Sequence, residues 1–305
     1  MTEKRESMKN RTQEGSQKKK EKTLRPSRAT RLFVIWRKLR KSKLAIAGFG
    51  IILFMGLIAV SSPIIAPYDP TWMGTSRLPP SLDNIFGTDN LGRDMLTLVM
   101  HGARISLYVG VASVLIEMVI GISIGMIAGY FGGIIDEILM RITDVIFSLP
   151  AIMMLLLAVS MFETRSINMI ILIMGLLDWP FMARVVRGEY LSLRETTYVE
   201  AAKSMGASGW RIMIRHILPN MLSVIIVLAT MDIPWFIFYE ATLTFLGFGD
   251  PSSASWGVLL ENGYMFATSH WWMITFPGLA ILFTSLGFNL LGDGLRDALD
   301  VKVRE

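Results

Sequence analysis

The chain has no cysteine, only three histidines and little charge. Of its 305 residues, 18% are Asp, Glu, Lys or Arg, while 52% are hydrophobic. The lack of cysteine excludes disulfides and thiolate metal sites. His101, His216 and His270 lie far apart without ligand-like neighbours, so no metal site is expected. No GxxxxGK[ST] stretch occurs, which excludes ATP hydrolysis by a P-loop mechanism on this chain. No Ser/His/Asp set stands out, and the chain reads as a non-enzyme.

Apolar sequence is what the chain has in excess. Its mean hydropathy is +0.48, a balance rare in a soluble domain, which must cover its surface with polar groups. Leu44–Ala66 is an uncharged run of membrane-crossing length, since about 20 apolar residues span the hydrocarbon core as a helix. Its basic flank is too extended for an ordinary signal peptide, so it reads as a retained first span. Further spans are expected at Ile105–Tyr130, Ile138–Phe162, Ile167–Val186, Met221–Phe248 and Trp271–Leu291. The fold class is therefore an all-α membrane protein with six transmembrane helices.

Charge sets the orientation. Met1–Lys43 carries 16 Lys+Arg against 4 Asp+Glu, a net of +12; the whole chain is +5, which leaves −7 for the rest. Basic residues mark the cytoplasmic side, so residues 1–43 are a cytoplasmic tail. The tail lacks interleaved aromatics and leads straight into a span. It reads as a topology signal and a contact with anionic lipid, not with nucleic acid. Counting crossings, the loop at 187–220 is cytoplasmic too, with Arg187, Arg194, Lys203, Arg211 and Arg215, as is the C-terminal tail at 293–305, with Arg296, Lys302 and Arg304. The division is completed by a first helix at 44–66, an external segment at 67–104 and a five-helix core at 105–292. Within the external segment, Pro67–His101 is acidic (Asp69, Asp83, Asp89 and Asp94 against Arg77 and Arg93) and rich in Pro and Gly. It reads as mostly irregular with one short amphipathic helix. Trp271 and Trp272 fit an aromatic belt, and the 21 methionines fit lipid-facing or core positions. Gly121, Gly125 and Gly129 repeat every four residues and give one helix a smooth face for close packing.

The loop 198-YVEAAKSMGASGWRIMIRHILPN-220 is polar and basic between two apolar spans. Thr197 as N-cap with Glu200 three residues on gives a capping-box pattern. Tyr198, Ala201, Ala202 and Met205 make one apolar stripe, and Gly206 ends the helix. A second stripe runs Trp210, Met213, Ile214, Ile217, with Arg211 and Arg215 on another face, until Pro219 breaks it. Two readings fit: an interfacial hairpin resting on lipid or bundle, or a rigid projection that docks into a cytoplasmic partner.

Glu117, Asp178, Asp232 and Glu240 fall inside expected spans, and Asp144 lies near a cytoplasmic end. A charge at the bilayer centre costs at least about 2.5–3.5 kcal/mol, so such groups face a cavity or a partner. Asp232 and Glu240, eight residues apart, stand about 12 Å apart along one helix and close to one face. They line a wet path for the amino group of a peptide or another cation, or else they bond to groups at helix interfaces.

The run Glu200-Ala201-Ala202, with Gly206 and Leu218-Pro219 following at the right distances, resembles the EAA loop of ABC importer permeases. His216 stands where the general motif has Ile, similar to the form in the peptide and nickel branch. The stretches 87-GTDNLGRD-94, 129-GYFGGIIDEILMRITD-144, 244-TFLGFG-249, 255-SWG-257 and 287-GFNLLGDGLRDALD-300 resemble the same branch, closest to its DppC/OppC-like half. The resemblance runs from about residue 30 to the C-terminus. It implies a type I ABC importer permease fold with both termini cytoplasmic, in the cell membrane. It implies four kinds of partner: a second DppB/OppB-like permease, two P-loop ATPase subunits that bind the ATP, an external substrate-binding protein, and lipid. Glu200, Ala201, Ala202, Gly206, Arg211, Arg215, Leu218 and Pro219 would form the ATPase-coupling loop. Dipeptides or oligopeptides are the expected cargo, with nickel or sugar as the alternative. No cofactor is expected on this chain. An ATP-independent channel or carrier, or a membrane hydrolase, are the rivals of another class.

Overall fold

The computed structural model describes residues 42–163 and 165–299, together with Arg37, Leu39 and Arg40. The basic tail before Arg37, and Lys302 and Arg304, lie outside the described residues. The described chain is helical, and among the described residues the extended pairing is a single isolated bridge, Thr88 to Asp94.

Among the described residues, five helices are long and apolar enough to cross a membrane: α1 (Lys43–Ile65), α2 (Met95–Phe131), α5 (Ile167–Leu193), α7 (Gly209–Phe245) and α9 (Trp272–Leu299). The sixth expected span, Ile138–Phe162, is not one helix. It is a pair, α3 (Gly133–Phe147) and α4 (Ala151–Ser160), bent by 84°. Pro150 at the joint has no amide to donate and disfavours helical backbone at Leu149, which favours a break in the apolar run there. Six crossings result when this broken pair counts as one. Two short helices complete the set, α6 (Thr197–Ser204) and α8 (Trp256–Tyr264).

Glycines decide which helices meet. A Cβ on Gly121 would stand 2.7 Å from Met182 Cβ, on Gly125 2.7 Å from Val186 Cβ, and on Gly129 2.6 Å from Tyr190 Cβ. The three-glycine face of α2 thus lies against α5, and position numbers rise together, so the two helices run parallel. Gly175 on α5 returns the contact, facing Ile116 and the Ser113 carbonyl. Nearer the start of α2, Gly110 meets Ile233 and Ile237 of α7, while Gly48 of α1 meets the backbone of Gly287 and Leu291 on α9. Three apolar clusters follow one another along the bundle. Met95, Leu98, Trp256 and Trp272 fill one end, Val109, Met174 and Phe236 the middle, and Met182, Val186, Ile212 and Ile217 the other end.

Residues 66–94 contain no helix. The short helix expected there is the first part of α2, which starts at Met95, well before Ile105. Asp94 caps it, accepting from the Thr97 amide at 2.8 Å and from Asn84 Nδ2 at 3.0 Å. Asp89 holds the turn before it, accepting from the amides of Leu91 and Arg93 at 2.8 Å each and from Arg93 Nε at 2.7 Å. Trp272 is buried, not in an exposed belt, and its indole donates to the Thr88 carbonyl at 3.1 Å. Trp271 beside it is exposed.

Candidate functional site

The loop at 187–220 folds as α6 packed beside the first turns of α7. Thr196, not Thr197, is the N-cap of α6, and its side chain donates back to the Leu193 carbonyl without capping an amide. The capping box is therefore not formed, and Glu200 is exposed. Gly206 closes α6 at φ +78°, with its amide on the Lys203 carbonyl (2.9 Å) and the Ala207 amide on the Ala202 carbonyl (3.1 Å). These are the paired bonds of a Schellman end, which requires a left-handed residue at that position.

Both apolar stripes are rotated from their expected places. On α6 the buried side chains are Val199 and Ala202 (2% exposed), with Tyr198 half-buried, while Ala201 and Met205 (80% exposed) face out. On α7 they are Ile212, Met213 and Ile217, whereas Trp210 (60% exposed) and Ile214 are exposed. The reason is a π-helical turn at Ile212–Ile217, where the Leu218 amide reaches back to the Met213 carbonyl. An i→i+5 bond slips the apolar face by about one residue. The same turn admits Pro219 without a break: α7 runs through it from Gly209 to Phe245. Arg211, Arg215 and Pro219 are exposed and Leu218 is half-buried. His216 contributes its carbonyl, which accepts from Asn220 Nδ2 at 2.6 Å.

This hairpin is anchored from below. The buried Tyr190 hydroxyl donates to the Met213 carbonyl at 3.1 Å, and Val199, Ala202, Ile212 and Ile217 pack with Met126, Met182 and Val186. Arg194 Nη1 donates to the Gly129 carbonyl at 3.3 Å. Arg187 pairs with Asp136 at 2.6 Å and Arg184 with Asp144 at 2.6 Å, tying α5 to α3. The result is a fixed base with an exposed ridge of Glu200, Ala201, Lys203, Ser204, Met205 and Gly206. Tyr190 carried no recognisable signal in the sequence. Val199 did, as a β-branched apolar residue one position off the chosen stripe.

The four membrane acids separate into two groups. Glu240 is buried, with Oε1 accepting from Ser255 Oγ at 2.6 Å and Thr244 Oγ1 at 3.0 Å, at the seat of α8. Glu117, Asp178 and Asp232 lie on α2, α5 and α7, which pack on one another through Gly121, Gly175 and Gly110. Glu240 does not join them, although it shares α7 with Asp232.

Residues 121–305 match the family described as binding-protein-dependent transport system inner membrane components, and residues 30–80 match the N-terminal transmembrane domain of oligopeptide transport permease C. The chain belongs to this permease family. The permease is similar to the dipeptide transport system permease protein DppC of Bacillus subtilis, at 44% identity over 88% of this chain and 85% of the relative. It is 41% identical to the oligopeptide transport system permease protein OppC of the same organism, over 88% of each. It is 40% identical to the probable D,D-dipeptide transport system permease protein DdpC of Escherichia coli, over 92% of this chain and 95% of the relative. As a multi-pass membrane permease it forms a part of a transport machine.

Proposed function

We propose that this permease is one half of the translocation pathway of an ATP-driven importer of dipeptides or oligopeptides in the cytoplasmic membrane. Its relatives' names supply the cargo class, and none of those compared names nickel. A second, related permease completes the pathway, an external binding protein delivers the peptide, and two ATPase subunits bind and hydrolyse ATP. The basic tail and the 187–220 loop face the cytoplasm; residues 66–94 and α8 face out.

The observation that carries the coupling role is the α6 ridge. A docking element must transmit force without bending, and α6 rests on buried Val199 and Ala202 and on the Tyr190–Met213 bond. Its outward face is short-chained at Ala201 and Gly206, so a partner's backbone can approach closely. Ala202 belongs to the base and would act by holding the ridge. Glu200 neither caps its helix nor pairs with a basic residue among the described ones, which supports contact with the ATPase. Arg211 and Arg215 extend the exposed surface, and Leu218 and Pro219 keep the π turn that orients it. Of the membrane acids, Glu117, Asp178 and Asp232 are assigned to the substrate path and Glu240 to holding α8.

The test is purification of the tagged chain from its native cell in gentle detergent, followed by reconstitution with the binding protein. A second permease and P-loop ATPase recovered together, with ATP-dependent peptide uptake, is the expected result. A folded chain recovered without any ATPase would contradict the assignment.

A further inference from the structure

Glu117 is a buried carboxyl that the packing leaves partly unpartnered. It sits midway along α2 at 1% exposure, and its Oε2 has no hydrogen-bond partner. Packing fixes its neighbours. Ser113 lies against Gly175 and Gly121 against Trp179 and Met182, so the parallel α2 and α5 bring Glu117 level with Asp178. Gly110 lies against Ile233 and Ile237 of the antiparallel α7, which sets Asp232 about one turn from Glu117 along the bundle. Asp232 Oδ2 and Ser113 Oγ are also buried without partners. Tyr239 stands about two turns along α7 from Asp232, and its ring leans on Trp235 at 6.1 Å. No Lys or Arg among the described residues pairs with any of the three.

Three acids without a counter-ion, beside an aromatic face, suit an organic cation. A divalent metal is a poorer match, because among the described residues no group of three or more His, Cys, Asp or Glu side chains is arranged to hold one. A Tyr239 ring edged by Trp235 offers a cation the face of a π system as well as charge.

We infer that Glu117, Asp178 and Asp232 form a binding site for the ammonium or guanidinium group of a basic side chain in the transported peptide. The inference rests on the peptide-importer reading. The same cation chemistry has a second source, a basic side chain of the partner permease, and the experiment separates the two.

The whole importer is placed in proteoliposomes with its binding protein, and uptake of Ala-Lys-Ala is compared with uptake of Ala-Glu-Ala. The same binding protein serves every variant, so its own preference cancels when variant and wild type are compared. The expected result is that Glu117→Gln and Asp232→Asn each lower the Lys-to-Glu uptake ratio at least fivefold, with the second permease still co-purifying, and that Asp232→Glu keeps the ratio near wild type. An unchanged ratio in intact Glu117→Gln and Asp232→Asn complexes would overturn the site. Loss of the second permease from those variants would assign the cation to the subunit interface and overturn the peptide as its source. Wild-type complex that imports neither peptide would overturn the importer reading itself, and this inference with it.

Discussion

The hydroxyl of Tyr190 joins α5 to the base of the α6–α7 hairpin through one carbonyl. That carbonyl, on Met213, also accepts the π-turn bond from Leu218, so removing the hydroxyl does not leave it orphaned. Tyr190→Phe is therefore expected to cost about 1 kcal/mol, the net worth of one hydrogen bond, and not the larger penalty of a stranded group. Thermal unfolding of the purified chain in detergent should show a drop of roughly 2–4 °C. Gly206 acts through its backbone alone. A Cβ there would touch nothing within 4 Å, but φ is +78°. Gly206→Ala should cost about 1–2 kcal/mol of strain in the left-handed region, while Gly206→Asn should cost less, since Asn tolerates that region. The amount of ATPase recovered with the tagged chain should then fall in the order Gly, Asn, Ala. An equal recovery for all three would mean that the end of α6 does not set the docking surface.

At the scale of elements, the α2–α5 interface depends on the absence of side chains. Gly125→Ala places a Cβ 2.7 Å from Val186 Cβ, and overpacking of this kind costs about 1–3 kcal/mol. Gly188→Ala on α5, with open space around it, should be neutral or gain up to about 1 kcal/mol from helix propensity. Half-lives of the two variants at one elevated temperature would separate them. The glycine stripe was legible from its period of four, because close packing leaves that mark in one chain; which helix fills it does not show there. The loop at 187–220 was legible as a hairpin with Gly206 at its turn, because glycine suits φ +78° best. Its buried faces were not, since a π turn at Ile212–Ile217 shifts the register and Pro219 reads as a break until the turn that accommodates it is known. Two adjacent threonines offered two caps, and side-chain type alone does not choose between Thr196 and Thr197. The bend between α3 and α4 had a visible cause in Pro150, hidden by an apolar run long enough for one straight span.

For the whole molecule, the helical membrane architecture followed from hydropathy, which acts on every span in the same way. The meeting of Glu117, Asp178 and Asp232 depends on α2 and α5 running parallel, a tertiary fact that spacing along one helix does not contain. Asp232 and Glu240 looked paired because they share α7, yet Ser255 and Thr244 hold Glu240 elsewhere. The contact proposed for the ATPase is the exposed ridge of α6. The chain contains no cysteine, so single replacements can carry a benzophenone maleimide at one chosen position in the native complex. Illumination should join Ala201→Cys and Met205→Cys to an ATPase subunit and leave Ala202→Cys, on the buried side, without that adduct. Adducts from Ala201→Cys to lipid or the second permease, with none to an ATPase, would contradict the account and return α6 to a hairpin at the membrane surface.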